Sequence, residues 1–456
     1  MEIHMKNKKL VWGVTVLLAF ALTACAQKYD DEKDFQVEPI DGSEAVKITG
    51  YAGAKQDIRI PPKIEKMPVT EIGEGAFSEK KITSVAIPHN VTVIGAGAFG
   101  NNQITGIVIP DSVTSIEARA FAKNQLASVT IGHKVAAIGE EAFGNNQITG
   151  VVIPDSVTSI EARAFAKNQL ANVTIGGGVT ALGEEAFAEN QLTRVTIGHK
   201  VAAIGKKAFS NNQLANVVIP DSVTTIEEEA FSGNQLTAVT IGSGVTVIRY
   251  AAFAGNQLTT VVIPDSVTTI RERAFYGNQL ATVTIGNKVT AIGEDAFSNN
   301  KLTSVTIPHN VTSIGENAFG NNQLTTVTIG NGLTTIRYAA FTKNKLTSVT
   351  IGNGVTSIGE EAFSNNQLTE VTIPDSVTVI GDYAFSNNQL TSVTIGNGVT
   401  AIRYAAFADN RLTSITIGGD VAVWTSAFDN GFANFYVAQG RTAGTYTFSD
   451  NQWSLK

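Results

Sequence analysis

Histidine recurs at one place in this sequence, and histidine side chains are common metal ligands. His89, His133, His199 and His309 each follow an Ile-Gly or Ile-Pro pair, at separations that are all multiples of 22 residues. If every 22 residues form one coil about 4.8 Å thick, neighbouring histidines lie at least about 10 Å apart. Zinc–nitrogen bonds are about 2 Å long, so these histidines are predicted to be surface turn residues rather than metal ligands.

Aspartate recurs in the motif Ile-Pro-Asp-Ser-Val, which could position a carboxylate for catalysis or calcium binding. An aspartate at this place is expected to bond local backbone in a turn, and the glycine-rich nonapeptide repeats of calcium-binding solenoids are absent. A catalytic site needs unlike residues that converge on one point, whereas a repeat places like residues in rows. We therefore expect no enzyme, no metal site, no cofactor and no small-molecule substrate. The aspartates of this motif are Asp111, Asp155, Asp221, Asp265 and Asp375.

The single cysteine, Cys25, follows a segment that is typical of protein export. Three lysines within positions 6–9 precede an apolar run at 10–22, which at about a dozen residues is too short to cross about 30 Å of hydrocarbon. The run ends in Leu-Thr-Ala-Cys, which resembles the lipobox of bacterial lipoproteins. This resemblance implies a signal peptide at 1–25, a diacylated Cys25 and, because Ala26 follows, lipid anchoring in the cell envelope at the outer membrane or cell surface.

Composition limits the remaining classes of protein. Of the 456 residues, 43 % are hydrophobic and 16 % are charged, which argues against a disordered chain and against a coiled coil. A formal net charge of −7 gives no reason to bind nucleic acid, because phosphate neutralisation needs clustered lysine and arginine. A single cysteine excludes a disulfide framework. Residues 26–44 are polar and charged, and we predict that they form a tether.

Phenylalanine and asparagine define the repeat that must position all of these side chains. Sixteen phenylalanines from Phe77 to Phe407 stand 22 residues apart, and fifteen asparagines from Asn102 to Asn410 keep the same spacing. The unit reads L-T-x-V-T-I-(G/P)-x-x-V-T-x-I-x-x-x-A-F-x-x-N-Q, and its positions are numbered from this leucine. A fixed period of this length predicts one solenoid rather than several globular domains.

Each unit can be assigned elements from its pattern. The alternating V-x-I predicts a strand whose apolar side chains face inward, and glycine or proline ends it. A second short extended piece follows, at 135–138 in one unit, and residues 139–143 of that unit suit one helical turn. We expect the phenylalanines to stack as a central column. The asparagines are predicted to turn inward and bond backbone groups as a ladder.

The repeat resembles a known family. L-x-x-V-x-I with an internal asparagine is similar to leucine-rich repeats. The fuller V-T-x-I-G-x-x-A-F pattern resembles the BspA-like, Treponema pallidum-type class, and so does the segment 48–77. Asparagine stands where many members carry cysteine. The likeness covers about 45–437 and implies a β-rich right-handed solenoid with 22-residue coils, short strands and short helical turns, and binding to host or bacterial surface proteins.

The ends of the solenoid are predicted to be capped, because terminal coils expose apolar faces and open strand edges. We place an N-terminal cap and first coil at 45–77, the solenoid at 78–428 and a C-terminal cap at 429–456. Residues 432–437 repeat the strand pattern with aromatic residues. The tail is then expected to cover them with Tyr446, Phe448 and Trp453.

The third and fifth positions of each unit flank the inward valine of the first strand, so we predict that they point outward and form a strand wall. Threonine's preference for exposed strands is one explanation of its frequency there. An extended platform for a partner is the other. Arg194 and Glu370 break the pattern and are the strongest single candidates. The candidate binding residues are Ser128, Thr130, Asn172, Thr174, Arg194, Thr196, Thr326, Thr328, Ser348, Thr350, Glu370 and Thr372.

Several functions are compatible with this pattern. We predict a non-enzymatic, lipid-anchored bacterial cell-surface protein that presents the solenoid for protein or cell binding, in the manner of an adhesin. A structural envelope spacer without a specific ligand is the alternative. Ice binding through threonine pairs is disfavoured, because valine, arginine and glutamate interrupt the array. The Arg-Tyr pairs at 249–250, 337–338 and 403–404 are either hot spots or surface residues copied by duplication.

Overall fold

The computed structural model describes residues 28–456, which form a solenoid with a cap at each end. Cys25 and the predicted signal peptide lie outside the described residues. The solenoid has about 17 coils of about 22 residues, so the predicted leucine-rich repeat β-solenoid is confirmed. Strands of successive coils pair in parallel and in register. Ala137, for example, pairs with Ser159, and Ile138 pairs with Ile160.

The two strands of each regular coil lie on different sides of the solenoid. The first strands, at positions three to five or six, are Ser84–Ala86, Gly106–Val108, Ser128–Thr130, Gly150–Val152, Asn172–Thr174, Arg194–Thr196, Asn216–Val218, Ala238–Thr240, Thr260–Val262, Thr282–Thr284, Ser304–Thr306, Thr326–Thr328, Ser348–Thr350, Glu370–Ile373, Ser392–Ile395 and Ser414–Ile417. The second strands are Val93–Ile94, Ser115–Ile116, Ala137–Ile138, Ser159–Ile160, Ala181–Leu182, Ala203–Ile204, Thr225–Ile226, Val247–Ile248, Thr269–Ile270, Ala291–Ile292, Ser313–Ile314, Thr335–Ile336, Ser357–Ile358, Val379–Ile380, Ala401–Ile402 and Ala422–Val423.

The segment predicted as a helical turn, residues 139–143, is instead a pair of tight turns. Glu141 has a positive φ of 53°, which a right-handed helix excludes. The amides of Glu141 and Phe143 both leave the coil and bond the carbonyls of Ala162 and Ala164 in the next coil, each at 2.9 Å. A helix would keep such amides within its own turn. The hydrogen bonds between stacked coils therefore use the backbone amides that a helical turn would need for its own hydrogen bonds.

The interior is the predicted column of phenylalanine rings. From Phe77 to Phe428 every ring stacks on the next, with centroids 4.9–5.5 Å apart. These rings are buried among the leucine, valine and isoleucine side chains of their coils. Each coil alone could not enclose its ring, so burial of the column requires neighbouring coils on both sides.

The asparagine ladder is confirmed as well. In one coil the amide nitrogen of Asn256 donates to the carbonyls of Phe231, Phe253 and Ala254, at 2.9, 3.1 and 3.4 Å. Its oxygen accepts the amide of Leu236 at 3.0 Å. One asparagine thus satisfies backbone groups of its own coil and of the coil before it. Buried backbone groups need such partners.

The first strands do not form one sheet. They separate into short sheets, and from residue 106 onward each new sheet begins at a strand followed by Ile-Pro instead of Ile-Gly. Within a sheet the isoleucine amide donates to the next coil, as Ile219 does to Thr240 at 2.9 Å. Across a boundary between the described strands this bond is missing, as between Ile197 and Val218. The prolines that follow the first strand of a sheet are Pro110, Pro154, Pro220, Pro264, Pro308 and Pro374.

Glycine and proline at position seven explain these boundaries. The coil of Gly242 lies so close to the coil before it that a Cβ atom on Gly242 would stand 2.4 Å from the carbonyl oxygen of Pro220. Proline carries Cβ and ring carbons and has no amide hydrogen, so a proline coil cannot approach its predecessor in this way. Val195, before the boundary at Pro220, is consequently half-buried, whereas Val217 after it is buried.

Replacing Pro220 with glycine is expected to let its coil close onto the coil before it. The amide of Ile197 would gain a partner, and its hydrogen exchange should slow about tenfold, because one backbone bond contributes about 1 kcal/mol. The reverse change, Gly242→Pro, should speed exchange at Ile219 by a similar factor. The amide of Val223, which bonds the carbonyl of residue 220, serves as the control. Unchanged exchange at Ile197 would contradict this account of the boundaries.

The N-terminal cap begins earlier than the sequence predicts. Its elements are the 3-10 helix Glu32–Asp34 and the strands Phe35–Pro39, Val46–Tyr51, Asp57–Arg59, Lys63–Ile64 and Met67–Ile72. Phe35–Pro39 pairs antiparallel with Val46–Tyr51, which pairs parallel with Met67–Ile72. In place of the tether predicted at 26–44, residues 32–39 are therefore folded into this cap.

Two side chains hold the start of this cap in place. The ring of Phe35 is buried and closes the phenylalanine column, with its centroid 6.2 Å from that of Phe77. The buried carboxylate of Asp30 accepts the amide of Arg59 at 2.8 Å and pairs with Lys55. The polar composition of residues 26–44 therefore did not indicate that the ring of Phe35 belongs to the core, or that Asp30 is a buried carboxylate with a partner.

The C-terminal cap contains a helix where a strand was predicted. Residues 432–437 lie in the helix Phe432–Ala438, whose buried residues are Phe432, Ala433 and Tyr436. This spacing places them on one face of a helix, whereas a strand would alternate. The ring of Phe432 packs edge-on against Phe428, the last ring of the column, at 5.0 Å. The helix therefore closes the column.

A final hairpin covers the last open strand edge. The strands Gly444–Ser449 and Gln452–Leu455 pair antiparallel, and the first also pairs antiparallel with Ser414–Ile417. Tyr446 and Trp453 are buried with their rings 5.4 and 4.9 Å from that of Phe432. Within residues 28–456 no helix is long and apolar enough to cross a membrane.

Candidate binding surface

The strand wall is the exposed face of the first strands, from Gly106–Val108 to Ser414–Ile417. In the strand Thr326–Thr328 both threonines are exposed, while Val327 between them is only 2 % exposed and packs in the core. The same alternation places all twelve candidate binding residues in solvent. Their predicted orientation is therefore confirmed, while binding by them stays a prediction.

Charge is almost absent from this wall. Its fifteen strands provide thirty positions, and Arg194 and Glu370 are the charged residues among them. Four valines stand where threonine is usual and are 62–69 % exposed: Val108, Val152, Val218 and Val262. The wall therefore offers hydroxyl and methyl groups over about 70 Å, at about 5 Å per coil.

Threonines that flank the wall are also exposed, but they donate hydrogen bonds to the backbone of the preceding coil. Thr325, at position two, donates its hydroxyl to the carbonyl of Thr303 at 3.3 Å. Thr290, at position eleven, donates to Thr268 at 3.2 Å. Within the wall, by contrast, Thr282 bonds the hydroxyl of Thr260 at 3.1 Å. The threonines of the flanks thus stabilise the stack, whereas those of the wall face outward and are accessible to a partner.

A groove of about 640 Å³ runs beside the wall along residues 282–353. Threonines at position five form one side, and polar residues at position eight form the other. The position-eight residues are Asn287, His309, Asn331 and Asn353. His309, predicted to be a turn residue, thus lines a groove whose walls carry no charged side chain. No cluster of three metal-ligating side chains lies within the part of the chain that the structure describes.

The aspartates of the Ile-Pro-Asp-Ser-Val motif bond the next coil rather than local backbone. Asp221 accepts the amide of Ser243, 22 residues away, at 2.7 Å. The amide and hydroxyl of Ser243 together lower the pKa of Asp221, because hydrogen bonds favour the charged carboxylate. Equivalent bonds join Asp111 to His133 and Asp375 to Asn397. The expectation from the sequence was wrong about the bonding partner, because it assumed that each aspartate accepts a hydrogen bond from an amide of its own turn.

Charged side chains are concentrated on the turn side, at positions 14–16. Arg119 bonds Glu141 at 2.9 Å, and Arg163 bonds Glu185 at 2.8 Å. The bond to Glu185 raises the pKa of Arg163. The tyrosines of the Arg-Tyr pairs, at 250, 338 and 404, are exposed on this side too. Ion pairs and exposed tyrosines thus lie on the turn side, whereas Arg194 and Glu370 are the charged residues of the strand wall.

The sequence matches the family model described as BspA type Leucine rich repeat region (6 copies). The matches span residues 70–193, 136–259, 247–368 and 312–435. They overlap and together cover residues 70–435, which include the whole of the wall. No curated protein matches the sequence.

The chain is also similar to several solved structures. A leucine-rich repeat protein from Bacteroides ovatus is 22 % identical over 82 % of this chain and 91 % of its own, with a TM-score of 0.55. A leucine rich cell surface protein from Faecalibacterium prausnitzii is 26 % identical over 86 % and 94 %, with a TM-score of 0.40. The pneumococcal vaccine antigen PcpA is 18 % identical over 86 % and 88 %, with a TM-score of 0.45.

The first of these likenesses supports the fold, and the family matches identify the repeat. The predicted resemblance is confirmed by both the period and the matched residues. The chain belongs to the BspA type leucine-rich repeat family.

Proposed function

We propose that this protein is a non-enzymatic, lipid-anchored bacterial surface protein whose strand wall binds proteins or cells. The observation that carries the proposal is the wall itself, which has two charged residues in fifteen strands and is exposed at all but four of its thirty positions, those at residues 106, 392, 414 and 416. Leucine-rich repeat solenoids provide extended surfaces of this kind for protein partners. By family resemblance, the partners would be host or bacterial surface proteins.

Repetition gives such a wall a physical advantage in binding. One threonine pair in water contributes little, because its hydroxyls exchange water bonds for partner bonds. Many equal contacts on one rigid rod act together, so that avidity can exceed single-site affinity by about 10²–10⁴. The gain in avidity would be largest for an extended, repetitive partner such as a cell-surface polymer or protein array.

Three negative charges on the wall should weaken binding to cells without unfolding the protein. The variant is Thr240→Glu, Thr284→Glu and Thr328→Glu, all at exposed wall positions. We expect a loss of about tenfold or more, because a charged partner-facing group must be desolvated without a counter-ion. The measurement is binding of labelled protein to bacterial and host cells.

The matched control places the same three charges beside the wall. Gln213→Glu, Gln235→Glu and Gln257→Glu alter exposed residues at position 22 and should leave binding unchanged. Equal binding by both variants would exclude the wall as the binding surface. If intact cells also protect the protein from added protease, the envelope spacer becomes the better explanation.

Lipid anchoring through Cys25 is a separate proposal. It is supported by the lipobox-like motif at 22–25, which lies outside the described residues. Cys25→Ser should remove incorporation of labelled fatty acid and release the protein from the membrane fraction, since stable anchoring requires more than one acyl chain. Ser43→Ala, which alters an exposed hydroxyl, is the control. Labelled fatty acid on the Cys25→Ser variant would contradict the anchor.

A further inference from the structure

We propose that the partner of the strand wall is a second copy of this chain, packed against it in antiparallel orientation. This proposal rests on the proposed function, because it uses the same wall as the binding surface. Arg194 and Glu370 have opposite signs, are both exposed, and both occupy position three of their coils.

The spacing of these charges defines a register. Thr282 lies four coils after Arg194 and four coils before Glu370. A two-fold axis parallel to the strands at Thr282 turns one copy end to end and keeps position three opposite position three. Arg194 of each copy then faces Glu370 of the other. Such an isologous contact closes after two copies and forms the Arg194–Glu370 ion pair twice.

The same register matches the rest of the wall. It overlaps the strands from Gly150–Val152 to Ser414–Ile417, so that thirteen of the fifteen wall strands take part. The exposed valines Val218 and Val262 face the exposed Thr350 and Thr306, and Val152 faces the half-buried Thr416. These are pairs of β-branched side chains, which pack well across strands. No third charged residue stands among the overlapping wall positions of the described chain.

The contact area is sufficient for a specific dimer. Thirteen strands about 5 Å apart and about 10 Å long give about 600 Å² on each copy, or about 1,200 Å² in total. This lies at the lower end of stable interfaces. At that size two ion pairs decide the orientation, because the parallel arrangement would place the two Arg194 side chains near each other without a carboxylate.

Antiparallel packing also sets the two N-termini at opposite ends of the dimer. Copies anchored through their N-terminal segments to different cells could therefore pair along their walls. Copies anchored to the same cell would have to bend back to do so. The geometry points to attachment between cells that both carry this protein.

A charge exchange tests the pairing directly. The full chain is purified with Cys25→Ser, so that acyl chains cannot drive association, and its dimer dissociation constant is measured by analytical ultracentrifugation. Arg194→Glu alone and Glu370→Arg alone should each weaken the dimer about tenfold or more, while the double variant should recover to within about threefold. Arg337→Glu, on the turn side, is the control and should have no effect.

A cysteine at the axis tests the register independently. Thr282→Cys should give a disulfide-linked dimer on mild oxidation, because the two copies of residue 282 meet there. Ser414→Cys should not, because residue 414 faces residue 150 of the other copy. A monomer at all concentrations, a double variant as weak as the single ones, or linkage through residue 414 would each overturn the proposal.

Failure of this proposal can be told apart from failure of the proposed function. If the chain stays monomeric while the Thr240, Thr284 and Thr328 variant still loses binding to cells, the wall binds a different partner. If the chain stays monomeric and the triple variant binds cells as well as the wild type does, the wall is not a binding surface at all. Cells that lack this protein are the reference, since they should not be bound when the partner is a second copy.

Discussion

Replacing Phe253 with alanine is expected to lower the free energy of unfolding by about 3–5 kcal/mol, the usual effect of removing a buried phenylalanine ring. The ring is fully buried, and it stacks between those of Phe231 and Phe275, each at 5.4 Å. The cavity would lie in the middle of a column that each neighbouring coil needs in order to close.

The measurement is urea unfolding followed by circular dichroism, combined with hydrogen exchange. Long repeat arrays can unfold in parts, so exchange at the coils around residue 253 shows whether the loss is local. Thr240→Ala, at an exposed wall position, is the control and should change stability by less than about 0.5 kcal/mol. A loss below about 1 kcal/mol for Phe253→Ala would mean that the column does not hold the coils together.

Asn256→Asp is expected to be nearly as damaging at neutral pH, although it changes one atom. The introduced carboxylate can still accept the amide of Leu236. Its second oxygen, however, would face the carbonyls of Phe231, Phe253 and Ala254, which now accept hydrogens from the asparagine. Lost bonds of buried groups cost about 1–3 kcal/mol each, so the total loss should be about 3 kcal/mol or more.

The sign of the pH dependence follows from the same contacts. Burial beside carbonyl oxygens disfavours the charged form and raises the pKa of the introduced carboxyl above its value in the unfolded chain. The deficit is therefore complete above the raised pKa and becomes smaller as the pH falls, because the protonated carboxyl can donate one hydrogen bond.

Paired urea unfolding at pH 7 and pH 4.5 checks this prediction. The wild-type chain measured at each pH removes the contribution of all other groups. Asn256→Ala should show a deficit that does not depend on pH, since it introduces no titratable group. A deficit for Asn256→Asp that is the same at both pH values would show that the carboxylate finds solvent and that the ladder is open at this point.

The repeat made the interior predictable from the sequence. In a solenoid the nearest neighbours in space are the residues 22 positions away, so one period shows both which residues recur and which residues touch. The stacking of Phe231 on Phe253 and the inward turn of Asn256 follow from that period alone. The outward direction of Thr326 and Thr328 followed from the strand alternation in the same way.

The ends were not predictable on this basis, because no neighbouring unit repeats them. Phe35 and Asp30 lie in a polar segment, and their roles depend on Phe77 and Arg59, which are more than 25 residues away. The helix at 432–438 begins where the period stops. Its aromatic residues fit a strand as well as a helix until the last ring of the column, at Phe428, provides the face against which they pack.

By itself, the sequence determined the period, the family, the column, the ladder and the outward wall, because each depends on one unit stacked on an identical one. The tertiary structure alone decided how closely individual coils approach one another. Ile-Gly and Ile-Pro read as equivalent turns in the sequence, but only the stacked coils show that Gly242 lies against a carbonyl where proline has no room. The tertiary structure likewise showed that the amide of Glu141 donates a hydrogen bond to the next coil. This happens because hydrogen bonds between coils compete with hydrogen bonds within a coil.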